Sequence, residues 1–433
     1  MNITNFSLKL NGFPIKEAQN KLCEIQSISE QNYDAYVTEA KKDIVSFHLK
    51  NNPFYKSVCK NEFTTWNELP ILTKSDLQSP LKERLSNGYA LKNVYVNKTS
   101  GSTGNPFYFA KDKFSHALTW SIIQNRFSWH NLYEKKQARF YGIPSETIPK
   151  IKERAKDFFA NRYRFNVFDL SDNAFEKWLE KFKNTKFVYL NGYTTVIVAF
   201  ANYLNSKNIV LKDACPSLKA CVVTSEMCFE EDRFAMNTAF GIPVVNEYGA
   251  SELDLIAFQN KKNQWIINTE SLFIEIVDDN NTPLAYGELG RIIVTSLYNK
   301  AHPFIRYELG DLGVLKKINS KITILERLEG RREDIVHLPS GKKAPGLSFY
   351  YVTKSVMKDT AAIKEIKVVQ TTLNTFQIHY ASDNELSEKQ VDSVKNALSE
   401  YLEPKLSISF HKFDQLKRSK SGKLKQFTSL IKL

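Results

Sequence analysis

Between residues 94 and 250, short unbroken apolar runs alternate with longer stretches of helical periodicity. Phe187-Val188-Tyr189-Leu190 followed by Gly192 is one such run. Ala220-Cys221-Val222-Val223-Thr224 and Val244-Val245-Asn246 are two more. A strand with one face in water alternates polar and apolar residues, whereas a strand apolar throughout is covered on both faces. Helices between such strands are the crossovers that parallel pairing needs. The pattern predicts an α/β fold around a buried, mostly parallel sheet. From 265 to about 327 it changes to Trp265-Ile266-Ile267, Phe273 to Val277 and Arg291 to Val294, with a turn at Asp278-Asp279-Asn280-Asn281. That reads as a small antiparallel, β-barrel-like subdomain. After Gly330 comes a compact α+β segment, with strand alternation over Thr375 to Tyr380 and helical period over Glu388 to Leu402. Residues 1 to about 60 read as helical, with Thr73 or Ser75 capping the next helix. The expected division is a large domain over 1–330, β-rich from about 265 to 330, and a small C-terminal domain over 331–433.

A chain of 433 residues exceeds one ordinary core, and 42% hydrophobic with 25% charged residues excludes a disordered chain. Met1-Asn2-Ile3-Thr4-Asn5 shows no basic region leading into an apolar run. The longest apolar stretch, Val196 to Phe200, is far too short to span a bilayer. A cytoplasmic protein without a membrane span is expected. Cys215, Cys221 and Cys228 lack a C-x-x-C spacing and have no histidine close by; they read as buried free thiols. The net charge of +13 is spread along the chain without a basic arm. This argues against a nucleic-acid partner and favours an anionic small substrate such as a nucleotide.

Five segments carry candidate chemistry. Thr99-Ser100-Gly101-Ser102-Thr103-Gly104-Asn105-Pro106 follows the strand-like Val94-Tyr95-Val96. Its glycines and hydroxyls can turn donors toward one small anion, naturally a phosphate. Asn246-Glu247-Tyr248-Gly249-Ala250-Ser251-Glu252 leaves the carboxyl end of an apolar strand, where open α/β sheets bind ligands. Tyr248 offers a flat face to a purine, and Glu252 a hard oxygen to Mg²⁺. Gly249 and Ser251 belong to the same turn. In Phe304-Ile305-Arg306-Tyr307-Glu308-Leu309-Gly310-Asp311, the Asp311 carboxylate can accept from both ribose hydroxyls. Arg331, in Gly330-Arg331-Arg332-Glu333-Asp334-Ile335, is a permanent forked donor suited to phosphate or ribose. Lys417-Arg418-Ser419-Lys420-Ser421-Gly422-Lys423-Leu424-Lys425 is a basic turn near the C-terminus.

That order resembles the adenylate-forming superfamily of acyl-CoA synthetases, within it the phenylacetate–CoA ligase type, and most nearly its capsular-polysaccharide-associated branch. The resemblance runs from about Trp66 to Lys425. It is supported by Leu69-Pro70-Ile71-Leu72-Thr73-Lys74-Ser75-Asp76, by Thr224-Ser225-Glu226 and by Gly287-Glu288-Leu289-Gly290-Arg291. It implies that Ser100 to Gly104 hold the β/γ phosphates of ATP, Tyr248 stacks on adenine, Glu252 holds Mg²⁺, and Asp311 with Arg331 binds the ribose. Lys423 would bridge the substrate carboxylate and the α-phosphate. Glu333 stands where the family has its hinge Asp. Phe107 follows Pro106, as in the phenylacetate branch. The implied acyl pocket takes in Tyr141, Gly192, Tyr193, Ser225 and Ala250, and its tyrosines suit an aromatic or amino acid. The C-terminal lid would rotate between half-reactions and turn His337-Leu338-Pro339-Ser340-Gly341 toward the second substrate. No Cys or His occurs between 249 and 300, so the structural metal site of some relatives is not expected. The implied activity is ATP- and Mg²⁺-dependent formation of an acyl-AMP with transfer to CoA, by a monomer or a homodimer. Transfer to an amine on a cell-surface sugar, or non-catalytic binding of a nucleotide or polyanion, are the alternatives.

Overall fold

The computed structural model of the protein describes residues 3–59, 63–99, 107–142, 157–331, 335–341, 343–345, 363–401, 403–418 and 424–431. It divides into two compact units, Met1–Leu309 with Gly313–Arg327, and Gly310–Leu312 with Leu328–Leu433.

In the first unit, β1 (Tyr95–Lys98) and β2 (Tyr108–Lys111) form a two-stranded hairpin. The parallel core consists of β3 (Gln137–Phe140), β4 (Arg162–Arg164), β5 (Tyr189–Tyr193), β6 (Ala220–Thr224) and β7 (Val244–Ala250). These lie in the order β7-β6-β5-β3-β4. β5 and β6 are buried at every residue, as their unbroken apolar runs require. Ala138, Phe140, Leu190, Val223 and Val244 pack on one face, with helices Asp172–Lys183, Thr194–Ser206 and Glu230–Phe240. Tyr189, Ala220, Val222 and Val245 pack on the other, with helices Ile15–Ser27 and Lys113–Ser128.

The helix ends follow local chemistry. Ser171 accepts from Ala174 N–H, Asp112 accepts from Ser115 N–H at 2.8 Å, and Gly241 ends its helix at φ 63°. Thr73 and Ser75 cap no helix. Thr73 donates through its N–H (2.8 Å) and its hydroxyl (2.6 Å) to Asp76 Oδ2, closing a turn, and the next element is the short 3₁₀ segment Leu81–Arg84. The N-terminal region is helical over Ile3–Leu10, Ile15–Ser27, Glu30–Asn51 and Pro53–Val58.

The β-rich stretch continues the same sheet. Here β8 (Asp254–Gln259) pairs antiparallel with β7, and β9 (Trp265–Ile267) with β8. Beyond them lie β10 (Leu272–Val277), β11 (Leu289–Ser296), β12 (Tyr307–Lys317) and β13 (Thr323–Arg331), in the order β10-β11-β12-β13-β9. All five cysteines are free; Cys215 and Cys221 are buried, Cys228 and Cys59 half-buried and Cys23 exposed. Among the described residues no helix is long and apolar enough to cross a membrane.

The second unit holds the small hairpin β14 (Ile335–His337) and β15 (Lys343–Pro345). It also holds a separate sheet of β16 (Ile363–Gln370), β17 (Thr375–Ser382), β18 (Ser407–Phe413) and β19 (Phe427–Ser429), ordered β18-β17-β16-β19. Helix Glu388–Tyr401 is the crossover between the parallel strands β17 and β18. Phe376, Ile378 and Tyr380 are buried at alternate positions.

His48 illustrates how the first unit is tied together. It is fully buried, its Nε2 donating to Asn299 O at 2.9 Å, and burial pushes its imidazole down to about 4. The unfolded chain takes up this proton near 6.5 and the folded chain near 4, so this contribution is present above 6.5 and lost as pH falls toward 4. At 1.36 kcal/mol per pKa unit it amounts to about 3 kcal/mol. Urea unfolding should therefore show stability falling between pH 6.5 and 4.5, with the slope reduced by roughly one proton in His48→Asn. An unchanged slope would contradict the neutral buried imidazole.

Candidate active site

The hydroxyl-rich loop is closed at its neck. Thr99 N–H donates to Phe107 O at 2.9 Å, and Phe107 N–H to Thr99 Oγ1 at 3.2 Å. Ser100, Gly101, Ser102, Thr103 and Gly104 lie outside the described residues. A buried basic pair holds the neck. Arg84 donates to Tyr108 O at 2.9 Å, to Ser79 O at 2.8 Å and to His302 Nε2 at 2.6 Å. Accepting there requires an unprotonated nitrogen. Burial, and then the Arg84 charge, hold the His302 imidazole well below its usual range. Burial also brings Arg84 down to about 10, and its guanidinium lies 5.3 Å above the Phe107 ring.

β7 delivers the second motif. Thr224 pairs with Glu247 across β6 and β7, and the register with β8 slips at Tyr248/Gly249. Glycine is needed at the slip, since a Cβ on Gly249 would lie 2.3 Å from Asp254 O. The turn then buries Glu252 at 8% exposure, with Oε1 accepting from the Tyr307 hydroxyl at 2.9 Å. The Tyr307 ring stacks on Phe107 with centroids 6.4 Å apart. The neck of the loop and the Glu252 carboxylate are thus joined through two aromatic rings. Beside them Asp254, at φ 56°, pairs with the buried Lys111. The second Glu252 oxygen carries no hydrogen bond among the described residues, and these contain no group of three His, Cys, Asp or Glu able to hold a metal. A single free carboxylate oxygen fits a hard cation that takes the rest of its shell from phosphates and water, as Mg²⁺ does.

Tyr248 is buried at 9% exposure, its ring 6.3 Å from Trp265, whose indole N–H donates to Asn246 O at 2.8 Å. Gly249 and Ser251 are exposed and Ala250 half-buried. Tyr141 and Tyr193 come together, ring centroids 4.9 Å apart. Burial raises the Tyr141 phenol far above its ordinary value. Ser225 ends β6 in the left-handed region at φ 70°, a strained conformation at the carboxyl end of the sheet. Its neighbour Glu226 caps helix Thr194–Ser206, with Oε2 accepting from Thr195 N–H at 2.8 Å. Gly192 precedes Tyr193 on β5. A Cβ there would lie 2.3 Å from Phe140 O, so this glycine serves the close packing of β5 on β3.

Asp311 and Arg331 belong to the second unit and meet there, Arg331 Nε lying 3.4 Å from Asp311 Oδ1. Glu333 and Lys423 lie outside the described residues. Sequence reasoning did not single out Arg139, Glu247 or Tyr307. The available signal was a charged residue within an otherwise apolar strand, Arg139 between Ala138 and Phe140 and Glu247 after Val244-Val245-Asn246.

No family model matches the chain. It is 22% identical to Protein CapK of Staphylococcus aureus over 383 residues, 86% of this chain and 81% of that protein. It is 22% identical to the phenylacetate-coenzyme A ligase of Escherichia coli (strain K12) over 341 residues, 73% of this chain and 75% of that enzyme. Among solved structures it resembles 2-hydroxyisobutyryl-CoA ligase in the postadenylation state with R3-HIB-AMP. The TM-score is 0.71 over 93% of this chain and 90% of that one, at 12% identity. At that identity the likeness is one of fold.

The Gly249 contact generates a prediction. Gly249→Ala forces its methyl into the Asp254 carbonyl and should cost about 1–3 kcal/mol, read as a lowered urea midpoint. Wild-type stability would mean that the bulge between β7 and β8 relaxes freely.

Proposed function

We propose that this chain, a member of the adenylate-forming superfamily of the phenylacetate–CoA ligase type, activates a carboxylic acid with ATP and passes the acyl group to CoA in the cytoplasm. One observation carries the reading. The turn that buries Glu252 leaves the carboxyl end of the parallel core, and through Tyr307 and Phe107 it is joined to the neck of a hydroxyl-rich loop.

A carboxylate is a poor acyl donor because oxide is a poor leaving group. In the first half-reaction a carboxylate oxygen attacks the α-phosphorus of ATP. The bond from that phosphorus to the bridging oxygen breaks, giving acyl-AMP and pyrophosphate. In the second, the CoA sulfur attacks the acyl carbonyl and AMP departs. Positioning and charge stabilisation are what the protein supplies. Ser100 to Gly104 bind the β/γ phosphates, Tyr248 stacks on adenine, and Asp311 with Arg331 binds the ribose. Glu252 would hold Mg²⁺, whose chemistry is to neutralise phosphate charge. Lys423 places an ammonium between the carboxylate and the α-phosphate. The second unit acts as the lid, hinged at Glu333, and removes Lys423 before thiol attack. The resemblance to the capsular-polysaccharide-associated branch adds a role in cell-surface polysaccharide synthesis, and the likeness to Protein CapK agrees with that branch.

Pyrophosphate release over a panel of acids tests adenylation, and its dependence on CoA tests the acceptor. Lys423→Ala should slow pyrophosphate release by on the order of a hundredfold, while transfer from supplied acyl-AMP stays near wild type. Wild-type pyrophosphate release in that variant would refute the mechanism. Turnover that needs an amine instead of CoA would replace the acceptor and leave adenylation standing. Asp311→Ala should weaken ATP binding about tenfold or more, the worth of a charge-assisted hydrogen bond. Unchanged ATP affinity in calorimetry would remove Asp311 from the site.

A further inference from the structure

The carboxyl end of the core sheet is polar on one face. On β3, Ala138 and Phe140 point into the aromatic core, which leaves Gln137 and Arg139 on the opposite face. Arg139 pairs with Asn191 across β3 and β5, and Thr224 with Glu247 across β6 and β7. Five polar side chains therefore cross four neighbouring strands. The neutral ones are all hydrogen-bonded. Gln137 donates to Asn191 Oδ1 at 2.8 Å, Asn191 to Val222 O at 3.2 Å, and Thr224 to Glu247 Oε1 at 3.1 Å.

Among the described residues the charged ones are only partly satisfied. The Arg139 guanidinium lies over the Tyr141 ring, 4.1 Å from its centroid, and its buried Nε has no hydrogen-bond partner among the described residues. Among the described residues Glu247 accepts only from Thr224. Glu247 feels the Arg139 charge, yet no nitrogen–oxygen contact within 4.0 Å joins the two. Both are half-buried, so each keeps some access to solvent. Burial raises the Glu247 carboxyl and lowers Arg139. An apolar acid bound beside them would strand a desolvated cation and a desolvated anion, which is costly. A second carboxylate would suit Arg139 but meet Glu247, and an ammonium would do the reverse.

We infer that the acyl pocket is built for an acid whose tail carries an uncharged hydrogen-bonding group, a hydroxyl or an amide, which accepts from Arg139 and donates to Glu247. The inference rests on the adenylation reading, which makes this end of the sheet the acyl site. Arg139 and Glu247 are then specificity-determining residues, with the Tyr141 ring against the guanidinium.

Acyl-sulfamoyl adenosines, stable mimics of an acyl-AMP, test it by calorimetry. The tails compared are pentanoyl, hydroxypentanoyl, glutaramoyl, glutaryl and aminopentanoyl, with phenylacetyl against hydroxyphenylacetyl. The hydroxyl or amide member should bind about tenfold or more tighter than its apolar parent, the scale of a hydrogen bond to a charged group. Arg139→Met and Glu247→Leu should each erase that preference, with the circular dichroism spectrum unchanged. Glu247→Gln, which still accepts, should keep part of it. Tightest binding of the apolar or of a charged tail, or a preference that survives both substitutions, overturns the inference while adenylation stands. If no member binds and no acid yields pyrophosphate, the adenylation reading itself fails.

Discussion

A parallel sheet covered on both faces offers polar chemistry mainly at its ends, and the rest of this structure follows from that. β5 and β6 are buried at every residue between two layers of helix. Their backbone groups are paired within the sheet, so most hydrogen-bonding side chains gather toward the strand ends, and one inside a strand, such as Asn191, must be paired by its neighbours. At the carboxyl ends the chain places the left-handed Ser225, the bulge at Gly249 and the buried Glu252. Each departs from regular strand geometry, and each would be out of place a few residues earlier.

A set of buried cations and neutral histidines binds the loops to that edge. Arg306 is fully buried, donating to Asn67 O at 2.7 Å, to Leu69 O at 2.8 Å and to Glu275 at 3.0 Å. It fixes the Leu69–Leu72 segment beside the start of β12, where Leu72 bridges Tyr307. Arg84 and His302 do the same for the neck of the hydroxyl-rich loop. Removing one partner from such a buried set leaves an uncompensated charge, so these residues matter more for placing the segments than for net stability. The consequence is a continuous path of contact from Arg84 through Phe107 and Tyr307 to Glu252.

Much of the architecture was legible in local pattern. The unbroken apolar runs became β5, β6 and β7, and the alternation at Thr375 became β17. Period-two and period-3.6 patterns record which faces are buried, and burial is decided residue by residue along the chain. The turn at Thr73–Asp76 was not legible, because a hydroxyl that caps a helix and one that closes a turn use the same donors and acceptors. That Gly192 also lets β5 pack closely on β3 was not legible either, because only the position of Phe140 shows it.

The sequence by itself determined the class of fold, the order of the motifs and the residue types available for phosphate, purine, ribose and carboxylate. These are properties of composition and spacing. The tertiary structure decided which side chains meet across long separations. Tyr307 reaches Glu252 and Arg84 reaches His302 because strands and loops distant in the chain are packed side by side. It also decided that Arg139 and Glu247 share one face of the sheet without pairing. A one-residue slip in register would have sent either to the opposite face, and register is fixed by the packing of the whole core.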